Sequence, residues 1–350
     1  MNKIKQSSLL VQLLNGKKSN KTPIWLMRQA GRYLPEYQLL RKQAGSFINL
    51  CMNPQLSKEV TLQPIRRFNM DAAIVFSDIL TIPMACNRNL KFIENVGPVL
   101  NPIKSKNEIL NLHIKDDQYL MPIYETLKLV RKELAADKTL IGFAGGPFTI
   151  ALYMIEGRAS KDYKKSKIFY KNNRKEFLIL LKKLEIMVTD HLINQIKAGA
   201  EVLQIFESHA NISNEYFKEF CITPVSNIVN KIRELYPEIP IIGFPRNSKN
   251  NYIDYGLNID LNCISIDQNI DPKWAVKNIK FKKNRKLCIQ GNLNPEILLK
   301  TKEDILMHVK NIMNSFESIN HVFNLGHGVI KTSSIENVKF LIDTVKNWEK

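Results

Sequence analysis

Short apolar runs of four to six residues recur along the chain and alternate with longer amphipathic stretches. Most of the runs end in Gly, Pro, Ser or Asp, and such runs are typical of strands that are buried on both faces of a parallel sheet. On this basis we predict eight strands, at Ile24–Met27, Ala72–Ser77, Leu140–Ala144, Val202–Glu207, Ile241–Phe244, Cys263–Ile266, Leu287–Gln290 and Val322–Leu325.

Between these runs the apolar residues lie three or four positions apart, which is the period of an amphipathic helix. Asn294 followed by Pro295 is a helix N-cap with proline in the first turn. The stretch Thr81–Tyr119 is the least regular, and we predict a hairpin or a long loop there. The predicted helices are Leu9–Leu14, Glu125–Ala136, Lys175–Ala198, Asn214–Tyr236, Pro295–Phe316 and Ser334–Trp348.

Eight strands that alternate with helices predict an α/β fold, a single (β/α)8 TIM-type barrel with an N-terminal helix and an insertion between strands two and three. A doubly wound open sheet is the alternative. It usually has fewer strands and favours a GxGxxG turn after the first strand, which the residues after Met27 do not provide. No linker-like stretch or internal repeat divides the chain, so we predict one domain over residues 1–350.

The composition is that of a globular protein with a strong basic excess. The 350 residues are 44% hydrophobic and 24% charged, with 51 Lys and Arg against 33 Asp and Glu, which gives a formal net charge of +18. Of the basic residues 39 are lysine and 12 are arginine, and 35 asparagines accompany them. The charge therefore reflects either a compositional bias toward Lys and Asn or an acidic partner, such as nucleic acid, an anionic membrane or a polyanionic small molecule.

Several protein classes find no support in the sequence. The five cysteines are widely spaced without a CxxC pair, which argues against a disulfide framework or a zinc ribbon and favours a cytoplasmic protein. Leu9–Leu14 is too short for a signal peptide, and no stretch approaches the length of a membrane span. HxH, HxC and HExxH metal patterns are missing, as are RNP, KH and helix-turn-helix signatures and a GxSxG elbow at Ser208. We therefore expect no metal, no nucleic-acid partner and no membrane partner.

Arginines mark the end of the first predicted strand. Barrel enzymes build their active sites from the loops at the carboxyl ends of the strands. Arg28 and Arg32 follow the first strand directly and Arg41 comes shortly after, although arginine is scarce in this chain. Because a guanidinium fork binds carboxylate or phosphate through two hydrogen bonds, this choice of residue favours an anion site. The alternative is a set of surface arginines paired with Glu36.

Other strand ends carry further candidates, each with an alternative. Asp78 follows the second strand and either faces the site or caps the next helix. The turn Gly145–Pro147 is either a phosphate-binding nest or a glycine turn that lets a helix start close to the sheet. His327 lies between two glycines and either reaches a ligand or bonds the neighbouring backbone.

In chain order, these motifs resemble the uroporphyrinogen decarboxylase family. PIWLMRQAGRYLPEY at Pro23–Tyr37 is similar to the first signature of that family, and GFAGGPFT at Gly142–Thr149 is similar to the second. FSDI, LQIFESHA, GFP, QGNLNP and FNLGHG also occur in the order of the family, so the resemblance covers essentially the whole chain.

The resemblance implies a homodimeric barrel without metal or organic cofactor. Its reaction removes CO2 from the four acetate side chains of uroporphyrinogen III and gives coproporphyrinogen III for haem and related tetrapyrroles. It also implies that Arg28 and Asp78 are catalytic, with Arg28 gripping a substrate carboxylate and Asp78 facing the pyrrole NH groups. The implied substrate-binding set is Arg28, Gln29, Ala30, Gly31, Arg32, Arg41, Asp78, Tyr153, Ser208 and His327.

Loop departures and one rival accompany the resemblance. The family commonly has Gly where Asn211 and Asn247 stand, and a proline-containing turn where this chain has Val329–Ile335, including Lys331. The rival is methyl transfer by a zinc-bound thiolate, which needs a His/Cys cluster at strand ends. Cys263 and Cys288 lie near the starts of their strands, which disfavours that chemistry. The proton donor stays open among Arg28, a substrate carboxylic acid and water.

Overall fold

The computed structural model describes residues 7–94, 96–115, 117–282 and 285–348. Its main sheet has seven parallel strands, each paired with the next along the chain, and a separate antiparallel pair lies between the first two of them in sequence. The main sheet consists of β1 (Ala72–Ile74), β4 (Thr139–Gly145), β5 (Val202–Glu207), β6 (Ile241–Pro245), β7 (Cys263–Ser265), β8 (Cys288–Gln290) and β9 (Asn320–Val322), and the pair consists of β2 (Lys91–Ile93) and β3 (Gly97–Val99).

The segment 23–27 takes the eighth position, between β9 and β1. Ile24 forms a parallel bridge with Phe323, and its carbonyl accepts a hydrogen bond of 2.9 Å from the amide of Asp71, directly before β1. Because the segment bonds to both outer strands, it closes the ring. The (β/α)8 fold class is confirmed.

The first predicted strand, Ile24–Met27, is reduced to that single bridge. The amide of Ile24 donates to Asp71 Oδ2 at 2.9 Å and the amide of Met27 donates to Asn324 Oδ1 at 2.9 Å. Side-chain oxygens therefore take the N–H groups that a regular ladder would use, and the segment stays irregular.

A polar network inside the ring supports this closure. The indole Nε1 of Trp25 donates to Gln290 Oε1 at 2.9 Å. Gln290 Nε2 in turn lies 3.2 Å from Gln204 Oε1 and 3.1 Å from Ser265 Oγ. These side chains come from segment 23–27, β8, β5 and β7 and are all fully buried, so they meet in the interior of the barrel.

The other strand predictions match with small shifts. The bounds of β5 are as predicted, those of β6, β7 and β8 differ by one residue at one end, and β4 is longer by one residue at each end. The predicted strand Ala72–Ser77 stops at Ile74, because the amide of Phe76 bonds Thr61 Oγ1 at 3.0 Å instead of a neighbouring strand. The last strand is displaced and ends at Val322, followed by isolated bridges at Phe323 and Leu325.

Helices surround the sheet. They are α1 (Leu9–Leu14), α2 (Pro35–Gln43), α3 (Phe47–Met52), α4 (Pro54–Phe68), α5 (Thr81–Ala85), α6 (Lys106–Leu110), α7 (Met121–Glu133), α8 (Pro147–Glu156), α9 (Lys164–Asn172), α10 (Arg174–Lys197), α11 (Thr223–Leu235), α12 (Asn251–Asn258), α13 (Pro272–Asn278), α14 (Lys302–Ser315) and α15 (Ile335–Lys346). Among the described residues no helix is both long and apolar enough to cross a membrane.

Two predicted helices are not regular α-helices throughout. The predicted Asn214–Tyr236 consists of a 3₁₀ helix and a π turn that continues without a break into α11. Pro224, which lacks an N–H, lies in the first turn of α11, next to the π turn. The predicted Pro295–Phe316 divides into a short 3₁₀ helix and α14, since Thr301 caps a new start through the amide of Asp304. By contrast, α10 lies within one residue of its prediction.

The predicted irregular stretch Thr81–Tyr119 holds α5, the β2–β3 hairpin, α6 and a 3₁₀ turn. Its apolar side chains pack as a small cluster separate from the main core. Tyr153 of α8 belongs to the same cluster as Leu80, Met84, Leu90 and Leu100. Because α8 starts at the carboxyl end of β4, this contact places the insertion at the mouth of the barrel.

Candidate active site

Arginines without protein partners gather at the carboxyl ends of the strands. All twelve arginines of the chain lie in the described ranges. Seven donate hydrogen bonds to carboxylates or carbonyls: Arg66, Arg67, Arg88, Arg131, Arg174, Arg233 and Arg285. Five have guanidinium groups that bond no described residue: Arg28, Arg32, Arg41, Arg158 and Arg246. Four of these five follow segment 23–27 or β6, so they belong to the barrel mouth.

Glu36 does not pair with the candidate arginines. Its carboxylate receives two hydrogen bonds from Arg67, from Nε at 2.6 Å and from a terminal nitrogen at 3.0 Å. The expected pairing of Arg28 and Arg32 with Glu36 is therefore wrong, although both arginines are exposed to solvent as that alternative expected. Both guanidinium groups are exposed and free to bind an anion.

Arg28 is held at a sharp corner. Its backbone has φ of 59°, in the left-handed region that few residues other than glycine adopt. Its side chain lies across Gly328, where an added Cβ would stand 2.7 Å from Arg28 Cγ and 3.0 Å from Nε. The amide of Val329 donates to the Met27 carbonyl at 2.9 Å. The loop after β9 therefore supports the Arg28 side chain by direct packing.

The loop after Arg28 is held in place by the buried side chain of Gln29. Gln29 is buried, its Oε1 accepts from the Leu26 amide at 3.1 Å, and its Nε2 donates to the Ala72 carbonyl at 3.0 Å. The side chain of Gln29 thus ties the loop to β1. The amides of Ala30 and Gly31 donate to no residue in the described ranges, so they stay free at the mouth.

Asp78 is partly buried between these arginines and the insertion. Its Oδ1 accepts from the Leu80 amide at 2.8 Å, next to the start of α5, whereas Oδ2 has no bond to any described residue. Burial raises the pKa of Asp78, and the Leu80 amide and the charge of Arg28 offset part of that rise. Asp78 therefore closes a turn before α5 and does not cap that helix, whose N-cap residue is Leu80 without a side-chain cap. That Asp78 faces the substrate stays a prediction.

The turn Gly145–Pro147 is not a phosphate nest. The buried carboxylate of Glu207 fills the N-terminus of α8 and accepts bonds from the Phe148 amide at 3.1 Å, the Thr149 amide at 2.9 Å and Thr149 Oγ1 at 2.7 Å. A Cβ on Gly146 would collide with Glu207, so glycine is needed for this close approach. Burial raises the pKa of Glu207 to about 7.

His209 and Tyr163 belong to the site although our sequence analysis did not single them out. Tyr163 Oη lies 2.9 Å from His209 Nε2, and Tyr153 Oη lies 3.5 Å from the same nitrogen. Burial and the charge of Arg246 lower the pKa of His209 to about 4, so the ring is neutral. The partly buried side chain of Ser208 bonds no described residue. The signal available in sequence was the position of His209 next to Ser208 at a strand end.

His327 provides a neutral donor. Its Nδ1 accepts the Gly328 amide at 2.5 Å, so the backbone interpretation of this histidine is confirmed. Because Nδ1 is an acceptor, the ring hydrogen lies on Nε2. Burial and the charges of Arg246 and Arg28 lower the pKa of His327 to about 3. The histidine is therefore an uncharged N–H donor near two guanidinium groups.

Arg246 is a third residue that the sequence analysis missed. It follows β6 in the GFP run and carries the same signal as Arg28, an arginine directly after a buried strand. The next residue, Asn247, has φ of 60°, a left-handed conformation that glycine prefers and asparagine tolerates. The loop departure at Asn247 is thus accommodated by the backbone. Asn211 is exposed in a 3₁₀ helix and Lys331 is exposed in a turn.

Zinc chemistry has no ligand set in the described ranges. No group of three or more His, Cys, Asp and Glu residues there could hold a metal ion. Cys263 and Cys288 stand at the starts of β7 and β8, at the opposite end of the strands from the mouth. All five cysteines are buried and free. The residues present therefore do not fit the zinc-thiolate rival.

One large groove lies elsewhere. A groove of about 540 Å³ runs between α7 and α10 and is lined by Tyr124, Lys128 and His191 among others. Tyr124 Oη bonds His191 Nδ1 at 2.9 Å, and burial lowers the pKa of this histidine to about 4. No predicted site residue lines it, so the groove is separate from the mouth.

Solved structures share the fold. A methyltransferase from Methanosarcina mazei matches with a TM-score of 0.76 and 16% identity, covering 96% of each chain. A B12-independent methionine synthase from Shewanella sp. W3-18-1 matches with a TM-score of 0.52 and 12% identity, covering 95% of each chain. At these identities the likeness concerns the fold alone.

Sequence relatives are much closer. Uroporphyrinogen decarboxylase of Rickettsia africae is 41% identical over 343 residues, 97% of each chain, and that of Wolbachia sp. subsp. Brugia malayi is 40% identical over 348 residues, 99% of this chain and 97% of its own. The enzyme of Cereibacter sphaeroides (strain ATCC 17025) is 38% identical over 340 residues. The family model described as uroporphyrinogen decarboxylase (URO-D) matches residues 5–348. The chain belongs to the uroporphyrinogen decarboxylase family.

Proposed function

We propose that this protein is a uroporphyrinogen decarboxylase. It converts the four acetate side chains of uroporphyrinogen III into methyl groups and releases coproporphyrinogen III, for haem and related tetrapyrroles. The observation that carries the proposal is a mouth with several unpaired guanidinium groups around one unpaired carboxylate oxygen, that of Asp78. A macrocycle with acidic side chains on its rim and NH groups at its centre matches this distribution of charge.

We assign most of the substrate binding to the loop that follows segment 23–27. We assign the substrate carboxylates to the guanidinium groups of Arg28, Arg32 and Arg41 and to the free amides of Ala30 and Gly31. A charge-assisted hydrogen bond contributes about 1.5–3 kcal/mol, so a few of them hold a polyanion firmly. Gln29 contributes by keeping this loop against β1, as its two hydrogen bonds support.

Decarboxylation needs a place for the electron pair of the breaking C–C bond. A proton added to a pyrrole ring carbon makes the ring cationic, and the pair released with CO2 then neutralises that ring. A proton delivered to the exocyclic carbon completes the methyl group while the ring carbon gives its proton back. Each acetate thus consumes one net proton and yields CO2. The pyrrole serves as its own electron sink, the task for which other decarboxylases recruit a cofactor.

Asp78 is suited to stabilise the cationic ring. Its Oδ2 is free, while Oδ1 is fixed by the Leu80 amide, so the carboxylate needs little reorganisation to accept the pyrrole NH groups. Its raised pKa comes from burial, and the same burial strengthens its attraction to a cation. The proton itself comes from Arg28, a substrate carboxylic acid or water.

Neutral donors complete the cleft. Tyr153, Ser208 and His327 lie on α8, after β5 and after β9 respectively. We assign them to contacts with the substrate around the cleft. The Nε2 hydrogen of His327 is available, because Nδ1 already accepts the Gly328 amide.

The surrounding assignments are also proposals. We propose one barrel domain over residues 1–350, a homodimer and a cytoplasmic location, with no nucleic-acid or membrane partner and no metal or organic cofactor. The five buried free cysteines support a reducing compartment. Dimerisation rests on the family alone.

Anaerobic incubation with uroporphyrinogen tests the proposed function. After oxidation, chromatography should resolve coproporphyrin together with the seven-, six- and five-carboxylate intermediates. Asp78→Asn protein prepared in parallel shows whether the activity belongs to this chain. Purified folded protein that yields neither product nor intermediates would overturn the assignment.

A further inference from the structure

We propose that Arg246 binds a carboxylate of the substrate from the wall of the mouth opposite Arg28. The inference rests on the proposed function and adds a binding residue outside the set assigned above. It follows from three observations: the place of Arg246 in the ring of strands, the fixed backbone on both sides of it, and a guanidinium group without a partner.

Strand order places Arg246 across the barrel from Arg28. Around the ring the order is segment 23–27, β1, β4, β5, β6, β7, β8 and β9. β6 is the fourth position from segment 23–27 in either direction and therefore stands opposite to it. Arg28 and Arg246 follow the carboxyl ends of these two opposed elements. They influence each other electrostatically across the mouth.

The backbone at Arg246 is anchored on both sides. Its own amide donates to the Glu207 carbonyl at 3.1 Å. The amide of Asn247 donates to Asp267 Oδ2 at 2.8 Å, and Asn247 Oδ1 accepts from Asn269 Nδ2 at 3.2 Å. The side chain of Arg246 therefore starts from a fixed corner, as that of Arg28 does.

The guanidinium group of Arg246 lacks a counter-ion within hydrogen-bond reach. Its Nε is buried and has no partner, and no other side-chain nitrogen bonds a described residue. Asp267 attracts it from a distance, but the Asp267 oxygens already accept bonds from Asn247, Asn269 and Tyr252. The other groups that it faces are Arg28, Tyr153, His209 and His327, none of them anionic.

Arg233 shows what a structural arginine looks like in this fold. It is similarly buried, and its guanidinium donates to the carbonyls of Pro237, Ile239 and Asp260 and to Asn262 Oδ1. Both of its terminal nitrogens are hydrogen-bonded to the protein, and its Nε, which like that of Arg246 lacks a hydrogen-bond partner, lies 3.8 Å from the carboxylate of Asp260. Arg246 is partly buried, and only its Nε is a buried donor without an acceptor, whereas its terminal nitrogens bond no described residue and are accessible at the mouth. A partly desolvated cation with unused donors binds an anion more strongly than an exposed one does. The unused donors of Arg246 point to an anionic ligand.

Carboxylates stand all around the rim of the proposed substrate. Arg28, Arg32 and Arg41 reach one side of the macrocycle, and Arg246 reaches the opposite side. Two opposed anchors fix the orientation of the ring over Asp78 better than one-sided binding. Arg246 is thus a substrate-positioning cation rather than a proton donor.

Steady-state kinetics of Arg246→Gln test the inference. We expect KM for uroporphyrinogen to rise about 10- to 150-fold, the loss of a charge-assisted bond, with kcat changed less than about threefold. The salt dependence of KM should also weaken. Lys310→Gln, which removes the same charge from an exposed position on α14, should leave KM unchanged. Arg246→Lys keeps the charge but loses the two-pronged guanidinium geometry, so its KM should lie between those of the wild type and Arg246→Gln.

Direct binding separates this inference from the proposed function. The dissociation constant of uroporphyrinogen is measured anaerobically for Asp78→Asn and for Asp78→Asn/Arg246→Gln. Weaker binding by the double variant supports the inference even if the wild type releases no CO2, an outcome that would contradict only the proposed function. Equal dissociation constants for Asp78→Asn and Asp78→Asn/Arg246→Gln would overturn the role of Arg246. The same conclusion would follow if folded Arg246→Gln and Arg246→Lys had the same KM as Lys310→Gln. A lower melting temperature with unchanged KM would show that Arg246 merely balances Asp267.

Discussion

Gly328→Ala should displace the Arg28 side chain, and so weaken its proposed binding of substrate, without removing any charged group. The added Cβ would stand 2.7 Å from Arg28 Cγ and 3.0 Å from Nε, with Cδ nearer still. Arg28 must then move by about 1 Å, and its left-handed backbone leaves the side chain to absorb the shift. Gly328 itself has no left-handed φ, so alanine brings no backbone strain there.

The size of the effect follows from the displacement. A misplacement of about 1 Å at a substrate-positioning group costs up to roughly 100-fold in rate. We expect kcat/KM for uroporphyrinogen to fall about 10- to 100-fold, measured from initial rates under nitrogen. Gly142→Ala is the matched control, because its Cβ would stand 2.6 Å from Gln195 Oε1 on the helix-facing side of β4. That variant should lose stability and keep KM.

A double-mutant cycle isolates the mechanism. Arg28→Ala removes Cγ, Cδ and Nε, so Gly328→Ala should cost nothing further in that background. If Gly328→Ala lowers kcat/KM by the same factor with and without the Arg28 side chain, the steric reasoning is refuted. Melting temperatures of all four proteins show whether each variant is folded.

Two more predictions concern carboxylates. Asp78→Asn keeps the shape but removes the charge, so kcat should fall about 100-fold or more while the anaerobic dissociation constant changes less than about fivefold; equal losses in both would contradict its role. Glu207 has a folded-state pKa of about 7 against an ordinary 4.5, so the folded form holds its proton more tightly. Stability from this group is full below about pH 4.5 and is lost as pH rises through 7, by about 3 kcal/mol. Urea unfolding from pH 4.5 to 8 should show this loss relative to Glu207→Gln, and parallel curves for the two proteins would refute it.

The sequence predicted most strands because they are short, largely apolar runs between longer amphipathic stretches. Val202–Glu207, in which only Gln204 and Glu207 are polar, matched at both ends. Segment 23–27 has the same apolar character yet forms one bridge. Its amides are captured by Asp71 and Asn324, which lie 47 and 297 residues away. A pattern read along the chain carries no information on such distant acceptors.

The same limit explains which site residues were found. Arg28 stands in the long motif Pro23–Tyr37 and Asp78 in the short run FSDI, and both were predicted from the family resemblance of these motifs. Arg246 carries a comparable local signal, but what distinguishes it from Arg233 is the lack of protein partners, which only the folded chain reveals. The turn at Gly146 was ambiguous because the carboxylate that fills it, Glu207, comes from a strand about 60 residues later.

The bridge between Ile24 and Phe323 also has a consequence for biosynthesis. Arg28 leaves the ribosome early, but its side chain packs on Gly328, which is synthesised late. The Met27 carbonyl likewise accepts its hydrogen bond from the amide of Val329, also near the end of the chain. A nascent chain that ends before Phe323 therefore already contains every arginine of the mouth and Asp78, yet it lacks the contacts that position the Arg28 side chain. The mouth is completed only when the segment from Phe323 onward, about the last twelfth of the polypeptide, joins the segment 23–28.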